Sequence, residues 1–137
     1  MFNPEGMLTF VDFSNNQFLG GTLPSTLFEV PTLVNLYISN CSLTGTIPTS
    51  FSMPPNINDL YLDGNKLKGT VPDISSGKLE KLNEFLLHNN DLTGSMPQSI
   101  CELRDSKVGN LEDLWSDCQG KTPELLCDYP ECCNRCF

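Results

Sequence analysis

The sequence is poor in positive charge. Eight Lys and Arg residues stand against 17 Asp and Glu, the net charge is −9, and the first Lys or Arg is Lys66. Because contacts with phosphate depend on Lys and Arg, this balance argues against a nucleic-acid partner. It also excludes a polybasic membrane patch and, within these residues, the basic segment with which a signal peptide begins.

Long apolar runs are missing as well. The most apolar stretch, Leu27 to Ile38, is interrupted by Glu29, Pro31 and Asn35. It is also shorter than the roughly 20 residues that a transmembrane helix needs. We therefore expect no membrane segment in this chain.

Recognisable catalytic and cofactor-binding patterns are absent from the sequence. The single histidine, His88, has no Cys or Ser partner at the spacing of a known triad, and no glycine-rich phosphate loop is present. The cysteines between Cys127 and Cys136 could supply four thiolates to zinc, but structural zinc sites prefer two separated Cys-x2–4-Cys pairs. We predict that the protein is not an enzyme and that it uses no cofactor and no metal.

What the chain does contain is one pattern in four copies. The pattern is Leu-x-x-Leu-x-Leu-x-x-Asn-x-Leu-x-Gly-x-Ile-Pro, and its copies begin at Leu8, Leu33, Ile57 and Leu82. Its Asn position recurs at intervals of 25, 24 and 25 residues, at Asn16, Cys41, Asn65 and Asn90. Such a period indicates a solenoid, because a single repeat of this length cannot bury its apolar side alone.

The pattern resembles the plant-type leucine-rich repeat, whose hallmark is the Leu-x-Gly-x-Ile-Pro ending, and residues 8–100 carry it. The resemblance and the alternating apolar residues imply an α/β fold. We expect a right-handed leucine-rich repeat solenoid with a parallel β-sheet on its concave face. The return segments, whose apolar anchors include Phe51 and Met53, are too short and too rich in proline for long helices. We expect single 3₁₀ turns or irregular structure there.

Two regions are expected along the chain. Residues 1–100 form the four repeats, and their N-terminal end has no visible cap, which suggests a fragment of a longer array. Residues 101–137 form a degenerate last rung and a cysteine-rich cap, in which we expect Trp115 to cover the leucine column rather than stack on a ligand. The tail, with Trp-x-x-Cys followed by further cysteines, is similar to the cysteine-rich caps of leucine-rich repeat proteins from algae.

The seven cysteines divide into one and six. Cys41 occupies the Asn position of the second repeat, where the side chain turns inward, and we interpret it as a buried, unpaired structural thiol. The six others can pair in many ways, but the adjacent Cys132 and Cys133 should take different partners. Disulfides indicate an oxidising compartment, and so an extracellular protein or a cell-surface ectodomain. The predicted structural disulfides use Cys101, Cys118, Cys127, Cys132, Cys133 and Cys136.

The outward residues of the strands form the surface on which we expect binding. Tyr37 and Tyr61 should stack one strand apart, with carboxylates on both sides. Such a surface suits a protein or peptide that carries basic groups. The alternatives are a solvated acidic face and, for His88, a pH-sensing role. The predicted ligand-binding residues are Phe10, Tyr37, Asp59, Tyr61, Asp63, Glu84, Leu86 and His88.

The resemblance implies a non-enzymatic recognition module, either the ectodomain part of a receptor-like protein or a secreted protein. One alternative is a secreted inhibitor of a cell-wall hydrolase. Another is a structural or ice-binding solenoid, for which the column Thr22, Thr46, Thr70 and Ser95 is the relevant feature.

One modification motif is present. Asn40-Cys41-Ser42 matches the N-glycosylation sequon. We expect its Asn on the concave side and its Cys in a buried corner, and both placements disfavour modification.

Overall fold

The structure is a computed structural model that describes residues 6–48, 54–74, 79–119, 125–128 and 132–137. All structural statements refer to these residues. The expected return anchors Phe51 and Met53 lie outside them.

Parallel strands dominate the architecture. The strands are β1 (Phe10–Asp12), β2 (Asn35–Tyr37), β3 (Asp59–Tyr61), β4 (Lys68–Gly69), β5 (Glu84–Leu86), β6 (Asp91–Leu92), β7 (Gly94–Ser95), β8 (Asp113–Ser116), β9 (Leu125–Leu126) and β10 (Arg135–Cys136). The Leu-x-x-Leu-x-Leu segments of the four repeats form the three-residue strands β1, β2, β3 and β5, which pair in register. With β8 and β10 they make one six-stranded sheet of order β1-β2-β3-β5-β8-β10. Two small sheets, β4-β6 and β7-β9, join successive rungs elsewhere on the solenoid.

The return segments are short, as expected. Ser25–Glu29 is a 3₁₀ helix between Pro24 and Val30. After Pro97 the chain instead forms a one-turn α-helix, Gln98–Cys101, which continues as a 3₁₀ helix over Glu102–Arg104. Residues 98–104 contain no proline, so every backbone N–H group that an α-turn needs is present. In the first return segment, Pro31 follows the 3₁₀ helix closely and disfavours helical structure at Val30.

The core is a column of inward side chains that continues from rung to rung. Leu33, Leu36, Leu60 and Leu82 are each fully buried, and Phe85 is nearly so. The first rung differs, because its inward-position Phe13 is 46% exposed. The solenoid core is therefore closed over the middle rungs and open beside the first one.

Buried asparagines, Asn65 and Asn90, satisfy the backbone where the third and fourth rungs turn. The Asn65 carboxamide oxygen accepts hydrogen bonds from the backbone N–H groups of Cys41 and Leu43, both at 3.0 Å. Its nitrogen donates to the carbonyls of Ile38 at 2.7 Å and Leu62 at 3.0 Å. One side chain thus ties two rungs together at a point that water does not reach.

Cys41 fills the same position in the second repeat. It is fully buried and free, and its thiol donates to the Phe13 carbonyl at 3.0 Å. The interpretation of Cys41 as an unpaired structural thiol is confirmed.

The Gly and Thr columns of the repeat explain each other. Gly69 and Gly94 have φ of +83° and +88°, a backbone conformation that residues other than glycine rarely adopt. A Cβ on either would meet the γ-methyl of the preceding rung's Thr46 or Thr70 at 3.2 and 3.1 Å. The threonine methyls therefore pack directly over the glycines of the next rung.

The tail forms a disulfide-bonded cap, as predicted. The pairs are Cys101–Cys132, Cys118–Cys136 and Cys127–Cys133, so the adjacent Cys132 and Cys133 do take different partners. Leu125 and Cys132 are buried against the last rung.

The cap also adds a strand to the main sheet, and the sequence did not predict this strand. The tail returns as β10, which pairs with β8 in parallel. In the described part of the chain, no helix has the length and apolar character needed to cross a bilayer.

Candidate functional site

Strand register brings most of the predicted site residues together on the outward face. The first row, across five strands, consists of Phe10, Asn35, Asp59, Glu84 and Asp113. The next row consists of Asp12, Tyr37, Tyr61, Leu86 and Trp115. We call these two rows the outward face.

Aromatic rings lie side by side at the centre of the outward face. Tyr37 and Tyr61 stack with centroids 4.4 Å apart and planes inclined by 19°, which confirms the predicted stack. Phe10 meets Tyr37 edge-on at 5.3 Å. Offset and edge-to-face contacts of this kind stabilise aromatic pairs beyond their buried area.

Carboxylates of the neighbouring strand hold each tyrosine hydroxyl. Tyr37 donates to Asp59 Oδ2 at 3.0 Å, and Tyr61 donates to Glu84. Asn35 donates its amide proton to the same Asp59 oxygen. Both rings are therefore held in place by hydrogen bonds within the protein.

The same contacts keep both hydroxyls protonated. Burial, followed by the hydrogen bond to Asp59, raises the pKa of Tyr37 to about 12. Burial and the hydrogen bond to Glu84 raise the pKa of Tyr61 further. At neutral pH both hydroxyls therefore act as hydrogen-bond donors, and each acceptor side chain has further lone pairs for other donors.

Two predicted site residues are mostly covered. The His88 ring stacks on the cap's Phe137, with ring centroids 4.3 Å apart. On another side, His88 Nε2 lies 3.9 Å from Asp63 Oδ2. Their side chains are only 11% and 16% exposed. The expectation that His88 is exposed is wrong, because Phe137 of the tail covers its ring.

Asp63 has an internal partner as well. Its Oδ1 accepts a hydrogen bond from the hydroxyl of Ser39 at 2.6 Å. This carboxylate bonds the second rung to the third, and little of its side chain is left for a partner.

Trp115 lies on the outward face and does not cover the leucine column. It pairs with Leu86 across β5 and β8, while its neighbour Leu114 points into the core. The Arg135 guanidinium lies 4.7 Å from the centroid of the Trp115 ring. Aligning Leu111 and Leu114 with the repeat would have placed Trp115 in this outward position.

The outward face is acidic around the tyrosine pair, and a basic residue lies at its cap end. Asp12, Asp59, Glu84 and Asp113 all lie on outward positions of its strands. Arg135 stands at the other end, in β10.

The sulfurs of the cap form disulfides and not a zinc site. Sulfurs of Cys118, Cys127 and Cys133 lie within 4.8 Å of one another. Each belongs to a disulfide in this structure, so none of the three is available as a thiolate.

Comparison with known proteins supports the repeat assignment. A family model described as Leucine Rich Repeat matches residues 7–29, 32–53 and 81–103. No curated protein matches the chain significantly.

Solved structures similar to this chain include a plant ectodomain and a plant receptor kinase. The BIR2 ectodomain from Arabidopsis thaliana is 34% identical, with a TM-score of 0.53, over 60% of this chain and 43% of that one. The Arabidopsis receptor kinase HAESA, in complex with the peptide hormone IDA and the co-receptor SERK1, is 28% identical, with a TM-score of 0.62. That match covers 85% of this chain and 19% of HAESA. The chain therefore spans less than half the length of either structure.

Proposed function

Because the chain is a leucine-rich repeat protein with the fold of plant receptor ectodomains, we propose that it is a recognition module. Its partner is a protein or peptide, and the outward face binds it. The observation that carries this proposal is the stacked pair Tyr37–Tyr61, whose hydroxyls are fixed by Asp59 and Glu84. Ordered aromatic rings with little entropy left to lose are typical of residues that dominate binding energy.

The relatives support this class of partner. HAESA is seen with a peptide hormone and with a co-receptor. A chain of the same architecture that presents an ordered aromatic surface is suited to either kind of partner. The residues that we propose to contact the partner are Phe10, Tyr37, Asp59, Tyr61, Glu84, Leu86 and Trp115. We propose that His88 and Asp63 support this surface and do not contact the partner.

We further propose that the partner carries basic groups next to an apolar or aromatic one. The carboxylates of Asp59 and Glu84 flank the rings, and both keep acceptor capacity. An Arg side chain can lie flat on a tyrosine ring while its guanidinium reaches a carboxylate. A partner of this kind would bind more weakly as salt concentration rises.

We place the protein outside the cell or on its surface. Three disulfides in the cap and the ectodomain relatives support this location. The hydrolase-inhibitor and ice-binding alternatives draw no support from these relatives.

Selection from a displayed random-peptide library tests the proposal. We expect the selected peptides to be enriched in Arg or Lys beside aromatic residues, and to protect amides of β2, β3 and β5 from hydrogen exchange. Their affinity should fall as salt rises from about 50 to about 300 mM, because the charges are screened. Enrichment of acidic peptides, or protection confined to the return segments, would refute the proposed surface.

A further inference from the structure

We propose that Asn40 is an N-glycosylation site. The motif Asn40-Cys41-Ser42 is the only Asn-x-Ser/Thr sequence among the 137 residues. This inference depends on a secretory route for the chain and not on the identity of its binding partner.

The buried corner at Cys41 leaves Asn40 accessible. Asn40 is exposed although its neighbour Cys41 is fully buried. The reason is the backbone of Asn40, whose φ of 55° turns the chain at the end of the strand. The turn directs the Asn40 side chain to solvent and the next one inward.

Contacts on both sides define how the Asn40 amide lies. Its nitrogen donates a hydrogen bond to Asn15 Oδ1 at 3.2 Å, on the preceding rung. Its oxygen lies over Gly64 on the following rung, where a Cβ would be only 2.0 Å away. The absence of a side chain at Gly64 thus leaves the space that this amide occupies.

Transfer of a glycan to Asn40 replaces one hydrogen of its side-chain amide, and that amide carries two. In the transfer, Nδ2 forms a bond to the anomeric carbon of an N-acetylglucosamine while the bond from that carbon to a lipid diphosphate breaks. The diphosphate leaves with the lipid, and the transferase accepts the displaced amide proton. The hydrogen that remains on Nδ2 can still serve a hydrogen bond.

The disulfides of the cap are an independent reason to expect that the chain meets the glycan donor. Its three disulfides form in an oxidising compartment, and in eukaryotic cells that compartment also holds the lipid-linked oligosaccharide. Ser42, the residue that the transferase must recognise, is itself partly exposed.

The chain provides its own matched control. Asn15 has the same left-handed conformation, with φ of 64°, and is also exposed, but Gln17 occupies the position two residues later. Asn15→Asp keeps the oxygen that Asn40 contacts and should leave glycosylation unchanged. Asn40→Asp keeps a residue type that tolerates positive φ but removes the acceptor nitrogen.

Intact-mass measurement of the chain secreted by a eukaryotic host tests the proposal. We expect most molecules to carry a mass increment of a core oligosaccharide, which a peptide-N-glycosidase removes while converting Asn40 to Asp. The increment should persist in Asn15→Asp and vanish in Asn40→Asp and in Ser42→Gly, a change that suits the φ of 56° at Ser42.

An unmodified wild-type mass, or an increment that persists in Asn40→Asp, would overturn the assignment. Neither result would bear on peptide binding by the outward face. Failure of the library selection would likewise leave the glycan mass unaffected, so the two proposals fail separately.

Discussion

Replacement of Asn65 by Ala tests the hydrogen-bonded corners of the solenoid. The Asn65 side chain is nearly buried and is the partner of backbone groups in two successive rungs. Its loss leaves the N–H groups of Cys41 and Leu43 and the carbonyl of Ile38 without this partner. The Leu62 carbonyl is affected less, because it also accepts a hydrogen bond from Asn90 at 3.0 Å.

The expected magnitude follows from those three groups. A buried backbone group left unpaired costs about 1–3 kcal/mol, so the loss of three such partners in Asn65→Ala should lower the free energy of unfolding by about 3 kcal/mol or more. That is a large fraction of the roughly 5–15 kcal/mol that a domain of this kind has in total.

Urea unfolding, followed by the fluorescence of the single tryptophan, measures this free energy. The matched control is Asn16→Ala in the first repeat, because Asn16 is exposed and its nitrogen donates to the exposed Phe13 carbonyl at 2.6 Å. Water can replace that bond, so the control should lose less than about 1 kcal/mol. Equal losses for the two variants, or an Asn65→Ala loss under about 1 kcal/mol, would refute the reasoning.

Three further results are expected. The denatured, unreduced protein should contain one reactive thiol, from Cys41; seven would show that the cap is reduced. Replacing both Cys101 and Cys132 by Ser, which opens a loop of sequence separation 31, should lower the free energy of unfolding by about 3–4 kcal/mol, and an unchanged urea midpoint would contradict this. In an absorbance titration, Tyr61→Phe should remove a tyrosine that ionises late. Because its folded pKa is raised, the stability from Tyr61 is present below about pH 10 and is lost as pH rises; a wild-type titration curve for the variant would contradict its assignment.

The solenoid itself was predictable because its determinants are local and periodic. The inward columns follow the repeat, and the stack of Tyr37 on Tyr61 follows from the same alignment. The free, buried state of Cys41 follows from its position in the Asn column.

The cap end of the surface was not predictable in the same way, because its contacts come from the tail. Phe137 covers His88 although 49 residues separate them, and no repeat links the two. Disulfide connectivity brings the tail back as β10, and the pairing of six cysteines is not encoded by local pattern. Trp115 is a different case, since the last half-rung already carried the information on its direction.

The affinity of one selected peptide for matched variants tests the central claim most directly. We predict that Tyr37→Ala and Tyr61→Ala each raise its Kd at least about ten-fold, since central aromatic residues typically contribute 2 kcal/mol or more. Val108→Ala, which truncates an exposed apolar residue outside the sheet, should leave the Kd within about two-fold of the wild-type value. Equal affinity of the tyrosine variants and the wild type, with all variants folded, would contradict the assignment of the outward face as the binding surface.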